Sequence, residues 1–206
     1  MLTRKVTITI TSKIVGWYEA RSYPQDSQNN NDEIELYKVP SYEMIVSGTD
    51  ESGKSLTFTH QAPRFMPYWN NPSNPDKHYK TKGWVNSGLS SAQTIVVSRY
   101  LKDYELHNRY SPAHGAIVLK NTFYIHAGPV DENDYGFGSA GCVENIGDFG
   151  ALKSHIALLS GFKGGNADDA IQTLVKEKHL TAVIQAAAVP DIRKNYTRKI
   201  QRATWK

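Results

Sequence analysis

A chain of 206 residues that is 39% hydrophobic is long enough for one domain with a sizeable core, and its single cysteine excludes an internal disulfide framework. The net charge of +4 is uneven: residues 191–206 carry +5, which leaves about −1 on everything before them. No apolar run approaches the ~18 residues of a membrane-spanning helix, and no short motif such as His-Glu-x-x-His offers metal ligands, so neither a membrane span, a metal nor another cofactor is expected.

The chain opens on alternation, with Val6, Ile8 and Ile10 facing one way and Thr7, Thr9 and Thr11 the other, the pattern of a half-buried strand. This start lacks the unbroken apolar segment and cleavage site of a secretory signal, so synthesis in the cytoplasm and an export route other than Sec are expected. Residues 22–33 read as a polar loop, and Ile34–Val39, Tyr42–Ser47 and Ser55–His60 as strands, the last two joined through the turn at Asp50–Gly53. Residues 63–88 form a long segment rich in aromatics, prolines and asparagines, read as a lid over a groove.

Thr94–Tyr100 is expected to be a strand, and Gly115–Leu119 and Thr122–His126 to be two short strands joined across Lys120-Asn121. Phe149, Leu152, Ile156 and Leu159 recur at helical spacing between a capping Asp148 and a terminating Gly161. A second amphipathic helix spans 167–178, and 181–187 reads as a last strand. The expected class is α+β and β-rich, with a single domain over 1–190 and a basic, solvated tail over 191–206.

The chemistry concentrates in Tyr124-Ile-His-Ala-Gly-Pro129 and Gly138-Ser-Ala-Gly-Cys142, which set His126 sixteen positions before the only cysteine. A thiol attacks as the thiolate, and a neighbouring imidazole is the usual way to generate it near neutral pH. Cys142 is therefore the candidate nucleophile, exposed in a turn of small residues, and His126 the candidate base at a strand end. The main-chain N–H groups of Gly141 and Cys142 are candidate oxyanion donors, and Ser139 supports the loop or the histidine. Tyr124 shares the strand face of His126 and is a candidate pocket residue, with His114 and Trp84 as further substrate contacts.

A histidine at a strand end followed by Ser139-Ala140-Gly141-Cys142 resembles the L,D-transpeptidase (YkuD-like) catalytic domain, whose motif is Ser/Thr-His-Gly-Cys. The resemblance covers about Gly115 to Asn145 and departs at Ala140, where the family has histidine, and at Glu144 and Asn145, where it commonly has an arginine or asparagine soon after the cysteine. It implies a mixed sheet or sandwich core followed by two C-terminal helices. It further implies attack by cysteine on peptidoglycan stem peptides, with hydrolysis or transpeptidation of the acyl-enzyme, and a histidine oriented by a main-chain carbonyl. Divergent forms act as antibacterial effectors of type VI secretion, which implies delivery to a target cell's periplasm, an immunity protein and a secretion carrier as partners, and no nucleic acid.

Two other readings stay open. A papain-like (NlpC-type) peptidoglycan amidase would take its histidine from after the cysteine, leaving His155 or His179. A non-catalytic wall-binding module would stack sugars on Tyr68, Trp69, Tyr79 and Trp84 and dock its basic tail on acidic polymer.

Overall fold

Strand alternation at the start of the chain builds the longest elements of the protein. The computed structural model describes residues 3–21, 33–65, 67–69, 79–81, 90–105, 114–120, 123–130, 142–190 and 196–201. Strand β1 (Val6–Arg21) lies antiparallel to β2 (Glu33–Thr49), which in turn pairs with β3 (Ser55–Pro63). The alternating Val6, Ile8 and Ile10 are fully buried, as the period-two pattern predicts.

Strand β2 is continuous where two strands were expected on either side of Pro40-Ser41. The reason lies in β1, whose pairing shifts from Ile10↔Met44 to Ile14↔Tyr42 and again to Gly16↔Ser41. These bulges interrupt the ladder beside Pro40, which pairs with Trp17 and has no N–H to give.

The first sheet runs β12-β2-β1-β11-β6, with β3 also on β2. Strand β11 (Leu180–Ile184) is parallel to β1, and β6 (Gln93–Val96) is antiparallel to β11. Strand β12 (Tyr196–Gln201) falls in the segment expected to be a solvated tail; it pairs with β2, and Arg198 Nη2 reaches Glu19 Oε2 at 2.8 Å.

The second sheet runs β10-β9-β8-β7, from β7 (Tyr100–Leu101), β8 (Ala116–Lys120), β9 (Phe123–Ala127) and β10 (Val143–Asn145). The single strand expected over Thr94–Tyr100 is thus two, in different sheets. Buried Val97 carries the chain between them, its N–H donating to Leu180 O. Within the expected loop over 63–88, β4 (Pro67–Trp69) and β5 (Tyr79–Thr81) pair antiparallel.

Helix α1 (Phe149–Ser160) begins where Asp148 accepts from Gly150 N–H and ends at Gly161 in the left-handed region, as its sequence predicts. Helix α2 (Ala167–Lys176) opens on a capping box between Asn166 and Asp169. Phe149, Leu152, Ile156 and Leu159 join Ile8, Val46, Ile117, Ile125 and Val143 in one core. Each such side chain contributes roughly 1.5–3 kcal/mol on burial. The fold is α+β and β-rich with mixed sheets. Among the described residues no helix is long and apolar enough to cross a membrane.

Candidate active site

Strand β9 has two chemically different faces. Phe123, Ile125 and Ala127 point into the core, so Tyr124 and His126 face the other way. Strand β10 runs parallel beside it, with Val143↔Ile125, Glu144↔His126 and Asn145↔Ala127. Val143 shares the core face, which leaves Glu144 on the face of His126. Cys142 immediately precedes β10, and continuing the register by one residue sets it beside Tyr124, whose backbone hydrogen-bonds the thiol.

Cys142, Glu144, His126 and Tyr124 therefore occupy one side of two adjacent strands. Cys142 and His126 are diagonal neighbours, one strand across and two residues along, with Cα atoms about 8 Å apart from strand geometry. At such diagonal positions an aromatic or long side chain can reach its neighbour.

The imidazole is held from below. His126 is 1% exposed, and its Nδ1 lies 2.6 Å from the carbonyl oxygen of Ala127. A carbonyl only accepts, so Nδ1 carries the proton and the basic lone pair of the neutral ring is on Nε2. The thiol differs from its expectation. Cys142 is 7% exposed rather than open in a turn, at the position immediately before β10. Burial above all, and then the Glu144 charge, outweigh the Tyr124 hydrogen bond and push the thiol from 9.0 up to about 12.

Glu144 is 3% exposed and enters the site through a gap left by glycine. A Cβ on Gly128 would lie 2.6 Å from Glu144 Cβ and 2.8 Å from Asn145 O. The Gly128 N–H donates to that same Asn145 oxygen at 2.9 Å, which ties the end of β9 to the end of β10. Sequence reading noted Glu144 only as a departure from a family pattern. The signal it lacked was the alternation that puts residues 142 and 144 on one face once 143 is known to be core.

The other candidates are distributed differently. Tyr124 packs edge-on against Tyr104, ring centroids 5.2 Å apart. His114 lies two residues before Ala116, the partner of His126 on β8, but its side chain is half exposed with Nδ1 3.7 Å from Glu105 Oε1. Ser139, Gly141 and Trp84 lie outside the described residues. The histidines after the cysteine are engaged elsewhere: His155 Nδ1 is 3.0 Å from His60 Nε2, and His179 Nδ1 is 3.1 Å from Thr3 Oγ1.

No group of three or more His, Cys, Asp or Glu side chains among the described residues is arranged to hold a metal ion. A groove of about 430 Å³ between the end of α1, the start of α2 and the β2–β3 turn contains none of the site residues. Comparison with family models, with curated proteins and with solved structures finds no match to this chain.

Proposed function

We propose that the protein is a cysteine acyl transferase or hydrolase of the L,D-transpeptidase type, acting on peptidoglycan stem peptides as an antibacterial effector. The observation that carries this reading is the parallel β9/β10 register, which gathers Cys142 and His126 on one polar face while Nδ1 of the histidine is engaged by Ala127 O. A carbonyl-oriented histidine is what the resemblance implies, and it leaves Nε2 as the proton acceptor. The NlpC-type reading is disfavoured by the engagement of His155 and His179 away from Cys142.

The reaction begins with Cys142 as a neutral thiol. His126 Nε2 removes the S–H proton as sulfur bonds to the substrate carbonyl carbon and the carbonyl electrons move onto oxygen. The Cys142 main-chain N–H donates to this oxyanion. Collapse breaks the C–N bond, and the imidazolium returns its proton to the leaving amine, giving a thioester. Water or an acceptor amine then attacks the thioester with His126 again as base. Delivery to the periplasm of a target cell, an immunity protein and a secretion carrier belong to the same proposal.

Incubating muropeptides with the protein and resolving the products by mass spectrometry tests it. Wild type releases or exchanges the terminal D-amino acid, and intact-protein mass shows a stem peptide added to the enzyme. Cys142→Ala folds normally and yields neither. Products identical to wild type from Cys142→Ala, or the absence of any product from wild type, refute the reading.

A further inference from the structure

We propose that Glu144 is a third, positioning member of the site: its buried carboxylate opposes a thiolate on resting Cys142 and compensates the imidazolium that forms on His126 during attack. The proposal deepens the acyl-transfer reading and rests on it for its catalytic half. Three observations carry it. Glu144 and His126 are direct partners across the parallel ladder, so their side chains leave the sheet from positions about 5 Å apart. Glu144 is two residues from Cys142 along the same strand, on the same face. Its side chain is 3% exposed and fills the place where a side chain on Gly128 would be, so its placement is built into the fold.

Among the described residues, the groups on the face of this carboxylate include Tyr104, which packs edge-on against Tyr124. Strand β9 contributes His126 and Tyr124, and β10 contributes Cys142. Strand β8 offers Ala116 and Val118 on this side, neither titratable. Of the polar groups of β3 and its continuation, Gln61 donates to Ser41 Oγ and Arg64 to Thr11 O. Carboxylate and dyad therefore act on each other in a site of low exposure, where charges interact more strongly than in water.

The consequence follows the movement of charge. In the resting dyad a thiolate would sit beside the carboxylate, and like charges oppose it, in line with the upward push on the thiol. As sulfur bonds to the substrate, the proton passes to His126 and the negative charge passes from sulfur to the substrate oxygen. Repulsion between Glu144 and sulfur disappears, while attraction between Glu144 and the imidazolium remains. The residue thus disfavours the free thiolate and favours the transition state.

Glu144→Gln separates these two effects, because they move in opposite directions. Iodoacetamide labelling of Cys142 in the folded protein, followed by intact mass from pH 7 to 10, is expected about tenfold faster in the variant, for a downward thiol shift of about one pH unit. Muropeptide turnover is expected to fall about 10–100-fold in kcat with KM little changed. Glu144→Asp, which keeps the charge, retains wild-type labelling. The same labelling in Glu144→Gln as in wild type overturns the proposal. So does equal acceleration in the Asp and Gln variants, which would report loosened packing instead of lost charge. Labelling needs no substrate: faster labelling of Glu144→Gln beside an inactive wild type would uphold the coupling and reject the peptidoglycan reading.

Discussion

Gly128→Ala tests whether the two strands of the site are held as closely as the geometry indicates. The added Cβ would stand 2.6 Å from Glu144 Cβ, 2.8 Å from Asn145 O and 3.2 Å from the Glu144 carbonyl carbon. Two of these three atoms are main chain, so no side-chain rotation relieves the overlap. The remaining response is to move β10 away from β9, which strains the 2.9 Å hydrogen bond from Gly128 N–H to Asn145 O. Overpacking of a close-packed interior costs about 1–3 kcal/mol. For a domain of about 200 residues that corresponds to a melting-temperature loss of roughly 2–12 °C. Urea unfolding followed by circular dichroism supplies the free energy. Because Cys142 immediately precedes β10, displacement of that strand is also expected to raise its alkylation rate. Wild-type stability together with wild-type labelling in Gly128→Ala would refute the reasoning.

Two further outcomes concern stability. Burial chiefly, and then His155, depress His60 from 6.5 to about 4, so the unfolded chain takes up this proton first on acidification. The contribution is complete above pH 6.5 and is lost as pH falls toward 4; allowing for partial exposure it is worth about 1–2 kcal/mol. His60→Gln keeps a hydrogen-bonding group beside His155 and is expected to flatten the fall in urea stability between pH 7 and 4.5; an identical fall in the variant would contradict the assignment. The second outcome concerns Lys153, which donates to Asp168 Oδ1 at 2.8 Å and to His114 O at 2.9 Å, while Tyr100 also donates to Asp168. Lys153→Met removes a largely buried cation from these part-buried acceptors and is expected to cost about 1–3 kcal/mol in urea unfolding, an unchanged midpoint being the contrary result.

Where a local pattern had one physical interpretation, the sequence was readable. The alternation of Val6, Ile8 and Ile10 can only bury one strand face, and Asp148 and Gly161 bound a helix by satisfying its end groups. Reading failed where a long-range partner decided the outcome. Pro40 looked like a break because the β1 bulges that accommodate it are set by pairing and not by propensity. Thr94–Tyr100 looked like one strand because nothing local marks Val97 as the crossing between two sheets. Likewise, basic residues 196–201 looked like a solvated end, although their partner is the start of β2, some 160 positions earlier.

The site shows the same division. Motif spacing pointed to Cys142 and His126, whereas exposure of the sulfur depends on packing that spacing does not encode. That difference changes the chemistry to be expected. Burial pushes the thiol up to about 12, so at neutral pH the resting site favours the thiol over the thiolate. Under the proposed function, proton transfer to His126 Nε2 then accompanies sulfur attack, so that charge appears on sulfur only as the substrate carbonyl begins to take it away. Under the proposed function, this geometry is expected to give slow alkylation of the native protein near neutral pH, because the resting thiol is held neutral by its burial.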